Sequence, residues 1–129
     1  MELVRKAFDA LHSGESDAFR RYFREDCIWQ PLPEWPGSTQ ALVGHRGIVT
    51  IMAEWRESFD DYTASLDEVR DFGDRILCVG EQTATIKNSG RPLRQPLAFV
   101  CSDFRDRMIG EVRFFRSTRE ALEAARLQE

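Results

Sequence analysis

The sequence is poor in the features that mark several large function classes. No run of eighteen apolar residues occurs among its 129, so a membrane-spanning helix is not expected. Positive charge is not in excess: 18 lysines and arginines stand against 22 aspartates and glutamates, and the arginines are scattered among the acids. Binding a nucleic-acid backbone requires a concentrated basic patch, so no nucleic-acid partner is expected. Only two histidines are present, His12 and His45, with no carboxylates clustered around them. That leaves no metal-ligand pattern, and neither a metal nor a cofactor is expected. The three cysteines, Cys27, Cys78 and Cys101, form no CxxC pair and are odd in number, which fits reduced, buried thiols better than a disulfide framework. The opening "MELVRKAFDALHSG" is amphipathic and carries acids, unlike a signal peptide. A cytoplasmic location is the expectation.

What is present is unevenly placed. The stretch "WQPLPEWPGSTQALVGH", residues 29–45, holds two of the three tryptophans and three of the five prolines. Proline removes backbone donors that a helix or central strand needs, so this stretch reads as a loop over the outside of the molecule. Before it, Leu3, Val4, Ala7, Phe8 and Leu11 recur at helical spacing, and Ser16 offers a cap for a second short helix burying Phe19, Tyr22 and Phe23. "CIWQP" reads as a short strand. After the loop, Ile48, Ile51, Met52, Trp55 and Phe59 share one face of a third and longest helix.

Beyond Phe59 the period changes to two. Four extended segments, "YTASLDEVRDF", "RILCVGEQTATIKN", "PLRQPLAFVCSDF" and "RMIGEVRFFR", are separated by turn signals at Gly73-Asp74, Ser89-Gly90 and Asp106-Arg107. Consecutive antiparallel pairing follows. Tyr62, Ala64 and Leu66 share one parity and Val69 takes the other, which predicts a bulge near Asp67. "STREALEAARL" opens with a capping box, Ser117 to Glu120, and reads as a terminal helix with Ala121, Leu122 and Ala125 facing inward. The plan is one α+β domain over residues 1–129.

These elements, in this order, resemble a known family. The carriers are "FDALHSGESDAFRRYFREDCIWQP", "GHRGI" opening the long helix with Trp55 inside it, "DFGDRIL", the "SG" of the first hairpin and "FRDRMIGEVRFFRSTREALEAARL". Over nearly the whole chain the sequence is similar to the SnoaL-like polyketide-cyclase group of the nuclear-transport-factor-2-like superfamily. The resemblance implies a cone: a curved antiparallel sheet with helices packed on its concave face, enclosing a pocket for a small apolar ligand beneath the tryptophan loop. Trp29 and Trp55 are then expected in the pocket wall and Trp35 in its lid. It also implies a homodimer through the outer sheet face, where Phe99 and Phe115 are expected.

The departures from that group concern chemistry. Carried over residue by residue, the general base and the oxyanion-stabilising tyrosine of the related ketosteroid isomerases fall on Pro31 and Ala7. The aspartate and histidine of the aldol-closing cyclases fall on Phe114 and Val100, which are expected to line the pocket as apolar residues. Neither set can move protons. Isomerase, cyclase or hydrolase chemistry therefore has no inherited catalytic residues here, and the fold by itself implies no activity. With Val100 and Phe114 inward, Asp103, Glu111 and Arg113 have outward parity. The second strand of the meander is open: a two-residue loop at Ser89-Gly90 turns Glu81 into the pocket as a candidate acid or base, and a three-residue loop turns Gln82 in as a ligand-orienting amide. His45 is expected as an exposed first-turn residue. Arg107 stands where relatives usually carry glycine, and a positive φ there costs about 1 kcal/mol. The alternative function is a non-catalytic dimeric interaction module whose interior is filled by Trp29, Trp55 and Phe114.

Overall fold

The computed structural model describes residues 2–12, 17–32 and 42–126. Helix α1 (Glu2–Leu11) forms where the apolar stripe predicts it and buries Val4, Ala7, Phe8 and Ala10. Phe19 is also buried, but its segment is a single 3₁₀ turn, Ala18–Arg21. Strand β1 (Phe23–Gln30) begins four residues before the apolar run suggests. The reason is a register shift between Phe23 and Ile28 that interrupts simple alternation, so Phe23, Cys27 and Trp29 are all buried while Glu25 and Asp26 remain in solvent. Ser16, Trp35 and most of the tryptophan loop lie outside the described residues.

A two-residue strand, β2 (Leu42–Val43), pairs with β1 and leads into helix α2 (Gly44–Ser58). The entry depends on glycine. Gly44 has φ 77°, and a Cβ there would stand 2.8 Å from the Glu25 carbonyl oxygen. Ile48 and Ile51 then turn inward from α2.

The meander follows as β3 (Phe59–Asp71), β4 (Arg75–Ile86), β5 (Pro92–Ser102) and β6 (Ile109–Phe115), each antiparallel to the next. The sheet order is β2-β1-β6-β5-β4-β3, with β1 parallel to β6. The sheet is therefore mixed, not wholly antiparallel. Parallel pairing needs a long connection, and α2 together with the meander supplies it. The register of β3 on β4 shifts between Leu66 and Glu68, leaving Asp67 unpaired at the bulge that the parity change predicts.

Strand alternation divides the core in two. Ile76, Cys78 and Gln82 of β4 share the inner face with Leu97, Phe99 and Cys101 of β5 and Val112 and Phe114 of β6, beneath α1 and α2. Leu77, Ala98 and Val100 face the other way and are covered by the terminal helix α3 (Thr118–Arg126) through Ala121 and Ala125. Its capping bond is present: the Glu120 backbone N–H donates to Ser117 Oγ at 3.1 Å. Two of the three helices thus occupy the concave side, and α3 alone packs on the outer one.

Two sequence expectations fail on this geometry, for one reason. Phe99 pairs with Phe114, and Val100 with Arg113. Residues directly opposite one another in an antiparallel pair point to the same face, so Val100 and Phe114 cannot both face inward. Phe99 is the inner residue and Val100 the outer one. The outer aromatic row is thereby reduced to Phe115, which packs with the α3 cluster and lies under the Arg113 guanidinium at 5.1 Å.

Candidate functional site

Between α1, α2 and the inner face of the sheet lies a cavity of about 400 Å³, within the range of small-molecule sites. Trp29, Trp55, Gln82 and Phe114 line it, as does Phe99. Val100 does not, being under α3. Glu81 does not either: it points to the opposite face and accepts a 2.8 Å hydrogen bond from Arg94 Nε. The β4–β5 hairpin has neither two nor three loop residues. Ile86 and Arg91 close a four-residue loop, Lys87 to Gly90, through Ile86 N–H to the Arg91 carbonyl at 2.9 Å. Four and two have the same parity, so it is the inward phase of Phe99 rather than Val100 that brings Gln82 into the cavity.

The wall is a continuous run of rings. Trp29 meets Phe114 at 5.5 Å between centroids, Phe114 meets Phe99 at 5.2 Å, and Phe99 lies 6.2 Å from Phe8, nearly parallel to it. From Phe8 the run passes to His12 at 4.5 Å, to Tyr62 at 5.8 Å and to Trp55 at 5.0 Å. Such faces favour flat, polarisable ligands. Most of the wall is buried, Trp29, Phe99, Val112 and Ile109 included. The exposed wall residues are His12, Arg56, Asp60 and Asp61, so among the described residues the charged groups of the wall mark its open end.

Polar groups inside are few and mostly satisfied. Gln82 is 1% exposed; its Oε1 accepts from Tyr62 Oη at 2.9 Å and its Nε2 donates to Gln95 Oε1 at 3.3 Å. Leaving such an amide unpaired would cost about 1–3 kcal/mol, so this small network holds both Tyr62 and Gln82 in place. Burial raises the Tyr62 phenol well above its ordinary value, which keeps the hydroxyl protonated and donating. A hydrogen bond with Cys78 and burial together raise the Cys101 thiol, and burial pushes Cys27 up to about 12, opposed by the neighbouring Trp29 indole. Neither is a nucleophile at neutral pH.

One group breaks the pattern. Trp29 is 6% exposed, and its Nε1 is the only buried side-chain nitrogen or oxygen among the described residues that lacks a hydrogen-bond partner. The Cys27 sulfur beside it is a weak acceptor, and the indole holds the thiol down against its burial.

The two histidines divide. His45 is a brace: its Nε2 donates to the Phe23 carbonyl at 2.8 Å and its Nδ1 lies 3.1 Å from the donating Arg20 Nη1, outside the cavity wall. His12 is a wall residue, with Nδ1 2.9 Å from the Phe8 carbonyl oxygen. Desolvation against the Phe8 and Tyr62 rings lowers its pKa below 6.5, opposed by the Phe8 carbonyl and by Asp9. The sequence offered a signal for it: His12 stands four residues after Phe8 and extends the apolar stripe of α1 by one turn. Tyr62 had a weaker signal, the parity it shares with Ala64 and Leu66.

The sequence matches the family described as the SnoaL-like domain over residues 4–112. The chain belongs to this family. No curated protein matches it. Among solved structures, this SnoaL-like domain is similar to an NTF2-like protein from Burkholderia thailandensis, with 21% identity, 94% of this chain and 95% of that one covered, and a TM-score of 0.80. It is similar to a putative SnoaL-like polyketide cyclase from Jannaschia at 19% identity, covering 99% and 92% of the two chains, with a TM-score of 0.72. A third similar structure is TerC co-crystallised with polyporic acid, at 15% identity, 96% and 95% coverage and a TM-score of 0.76. At these identities the likeness establishes the NTF2-like fold. Among the described residues no helix is long and apolar enough to cross a membrane, and no group of histidine, cysteine and carboxylate side chains is arranged to hold a metal ion.

Proposed function

We propose that this SnoaL-like domain binds a small, flat, largely apolar organic molecule in the cavity between α1, α2 and the sheet. The observation that carries this reading is an open space of about 400 Å³ whose wall is a continuous run of aromatic rings. TerC, of the same fold, was co-crystallised with polyporic acid, which supports an organic ligand for a protein of this shape. Of the positions to which the family resemblance carries catalytic groups, Ala7 and Phe114 are apolar residues of this wall, so any chemistry belongs to other residues of it.

Filling the cavity tests the reading. Ala7 lies in the wall and is 1% exposed. Ala7→Phe should place a ring in the space a ligand would occupy and abolish the fluorescence enhancement of an apolar probe such as 1-anilinonaphthalene, with the circular dichroism spectrum retained. Undiminished enhancement in a folded Ala7→Phe protein would refute it.

A further inference from the structure

We infer that the imidazole of His12 is the hydrogen-bond acceptor at the mouth of the cavity and selects aromatic ligands that carry a neutral hydroxyl there. The inference rests on the reading of the cavity as a ligand site and names the chemical class of molecule that it takes.

The tautomer of His12 follows from hydrogen-bond logic. Its Nδ1 lies 2.9 Å from the Phe8 carbonyl oxygen, and a carbonyl can only accept, so the proton is on Nδ1. The two nitrogens of an imidazole point away from each other, so Nε2 sits on the ring edge turned from the α1 backbone and carries the lone pair. No described residue donates to it. The ring lies against two other members of the wall, Phe8 at 4.5 Å and Tyr62 at 5.8 Å, while the residue as a whole remains exposed. Its faces are packed and its outer edge is open, so a ligand entering beside α1 and β3 can reach Nε2.

The neighbouring polar groups sharpen the preference. Tyr62 Oη has given its proton to Gln82, and Asp60 and Asp61 of β3 are carboxylates, the first 3.9 Å from Lys87. Asp9 of α1 is a third carboxylate near the ring, and Arg56 of α2 is the one cation in this part of the wall. Desolvation against Phe8 and Tyr62 keeps the imidazole neutral. A ligand group placed beside it therefore meets an acceptor: an ether or carbonyl oxygen there opposes lone pair to lone pair, whereas a hydroxyl brings the missing proton. A hydroxyl conjugated to a ring is a stronger donor than an aliphatic one, and its ring continues the run from His12 through Phe8 to Phe99.

Two probes isolate that proton: 2-naphthol and 2-methoxynaphthalene, which keeps the rings and the oxygen but cannot donate, each measured by isothermal titration calorimetry on the full chain. At neutral pH the wild type should bind 2-naphthol about fivefold to tenfold tighter than 2-methoxynaphthalene. His12→Phe keeps a ring against Phe8 and Tyr62 and should lose that ratio while still binding 2-methoxynaphthalene. His12→Gln, whose amide oxygen accepts, should keep part of it. A second readout needs no variant that alters packing: with only two histidines in the chain, the imidazole signals are followed by NMR against pH, that of His12 being the one missing from His12→Gln. Because 2-naphthol binds the neutral ring, it should move the His12 midpoint to lower pH, and 2-methoxynaphthalene should leave it in place. This titration decides the question if His12→Phe does not fold. A ratio unchanged in folded His12→Phe, or a His12 midpoint that the two probes move equally, would overturn the acceptor and leave the cavity reading standing. Failure of both probes to bind would overturn both.

Discussion

Gly80 lies in the middle of β4, opposite the bulge of β3, where Leu66 is its register partner. A Cβ built there would overlap the Ser65 carbonyl oxygen and stand 2.8 Å from the Ser65 carbonyl carbon and 3.0 Å from Leu66 Cα. These are backbone atoms, which no rotamer change can move aside. Gly80→Ala therefore requires β3 to retreat by roughly an ångström over the bulge, a displacement that forfeits most of the attraction between facing atoms. Stretching two ladder hydrogen bonds costs about 1–3 kcal/mol, and overpacking of a close-packed sheet adds about 1–3 kcal/mol. A loss of about 3 kcal/mol is expected, which for a chain of this size lowers Tm by about 10 °C. Urea denaturation followed by circular dichroism reads it as a lower midpoint at unchanged slope. Gly90→Ala is the control. Gly90 has φ 68° with nothing within 4 Å of its would-be Cβ, so only backbone strain of about 1 kcal/mol is lost there. A Gly80→Ala protein within about 0.5 kcal/mol of the wild type, or no more affected than Gly90→Ala, would refute the steric argument. The same retreat would flatten the sheet and shrink the cavity, so the variant should also lose affinity for the apolar probe.

Two further outcomes rest on local geometry. Asp106 and Arg107 form the two-residue turn between β5 and β6 with φ 51° and 62°, closed by Arg105 and Met108 through bonds of 3.1 and 2.8 Å. Both central residues of this type I′ turn are left-handed, so Arg107→Gly should raise stability by about 0.5–1 kcal/mol, partly offset by the greater freedom of glycine in the unfolded chain; an unchanged or lower urea midpoint would count against it. Cys27, Cys78 and Cys101 are all buried and free, with Cys27 pushed up to about 12. A thiol-exchange reagent at pH 8 should therefore titrate none of them in the native protein and all three in denaturing urea, and prompt native reaction of any would contradict the burial.

Much of the fold was legible because local patterns and the global arrangement agree. The stripe of α1, the face of α2 and the capping box of α3 each sit on periods that survive packing. The bulge at Asp67 was legible for the same reason, since reversing side-chain parity within one strand takes an extra residue in it. The start of β1 was not, because a register shift between Phe23 and Ile28 masks its alternation. The candidate site was half legible. Trp29, Trp55 and Phe114 reach the wall, whereas Val100 and Glu81 lie on the opposite face.

By itself the amino-acid order determined the elements, their succession, their apolar faces and the α+β class, since these depend on neighbours three, four or two residues away. Tertiary structure alone decided which way β4 and β5 face, which of two histidines touches the interior, and that the buried Trp29 indole N–H lies against the Cys27 sulfur. Strand phase is set by pairing between segments, and a shift of a single residue reverses every side chain. Whether a nitrogen is satisfied depends on atoms brought close from distant parts of the chain, and no local pattern encodes that.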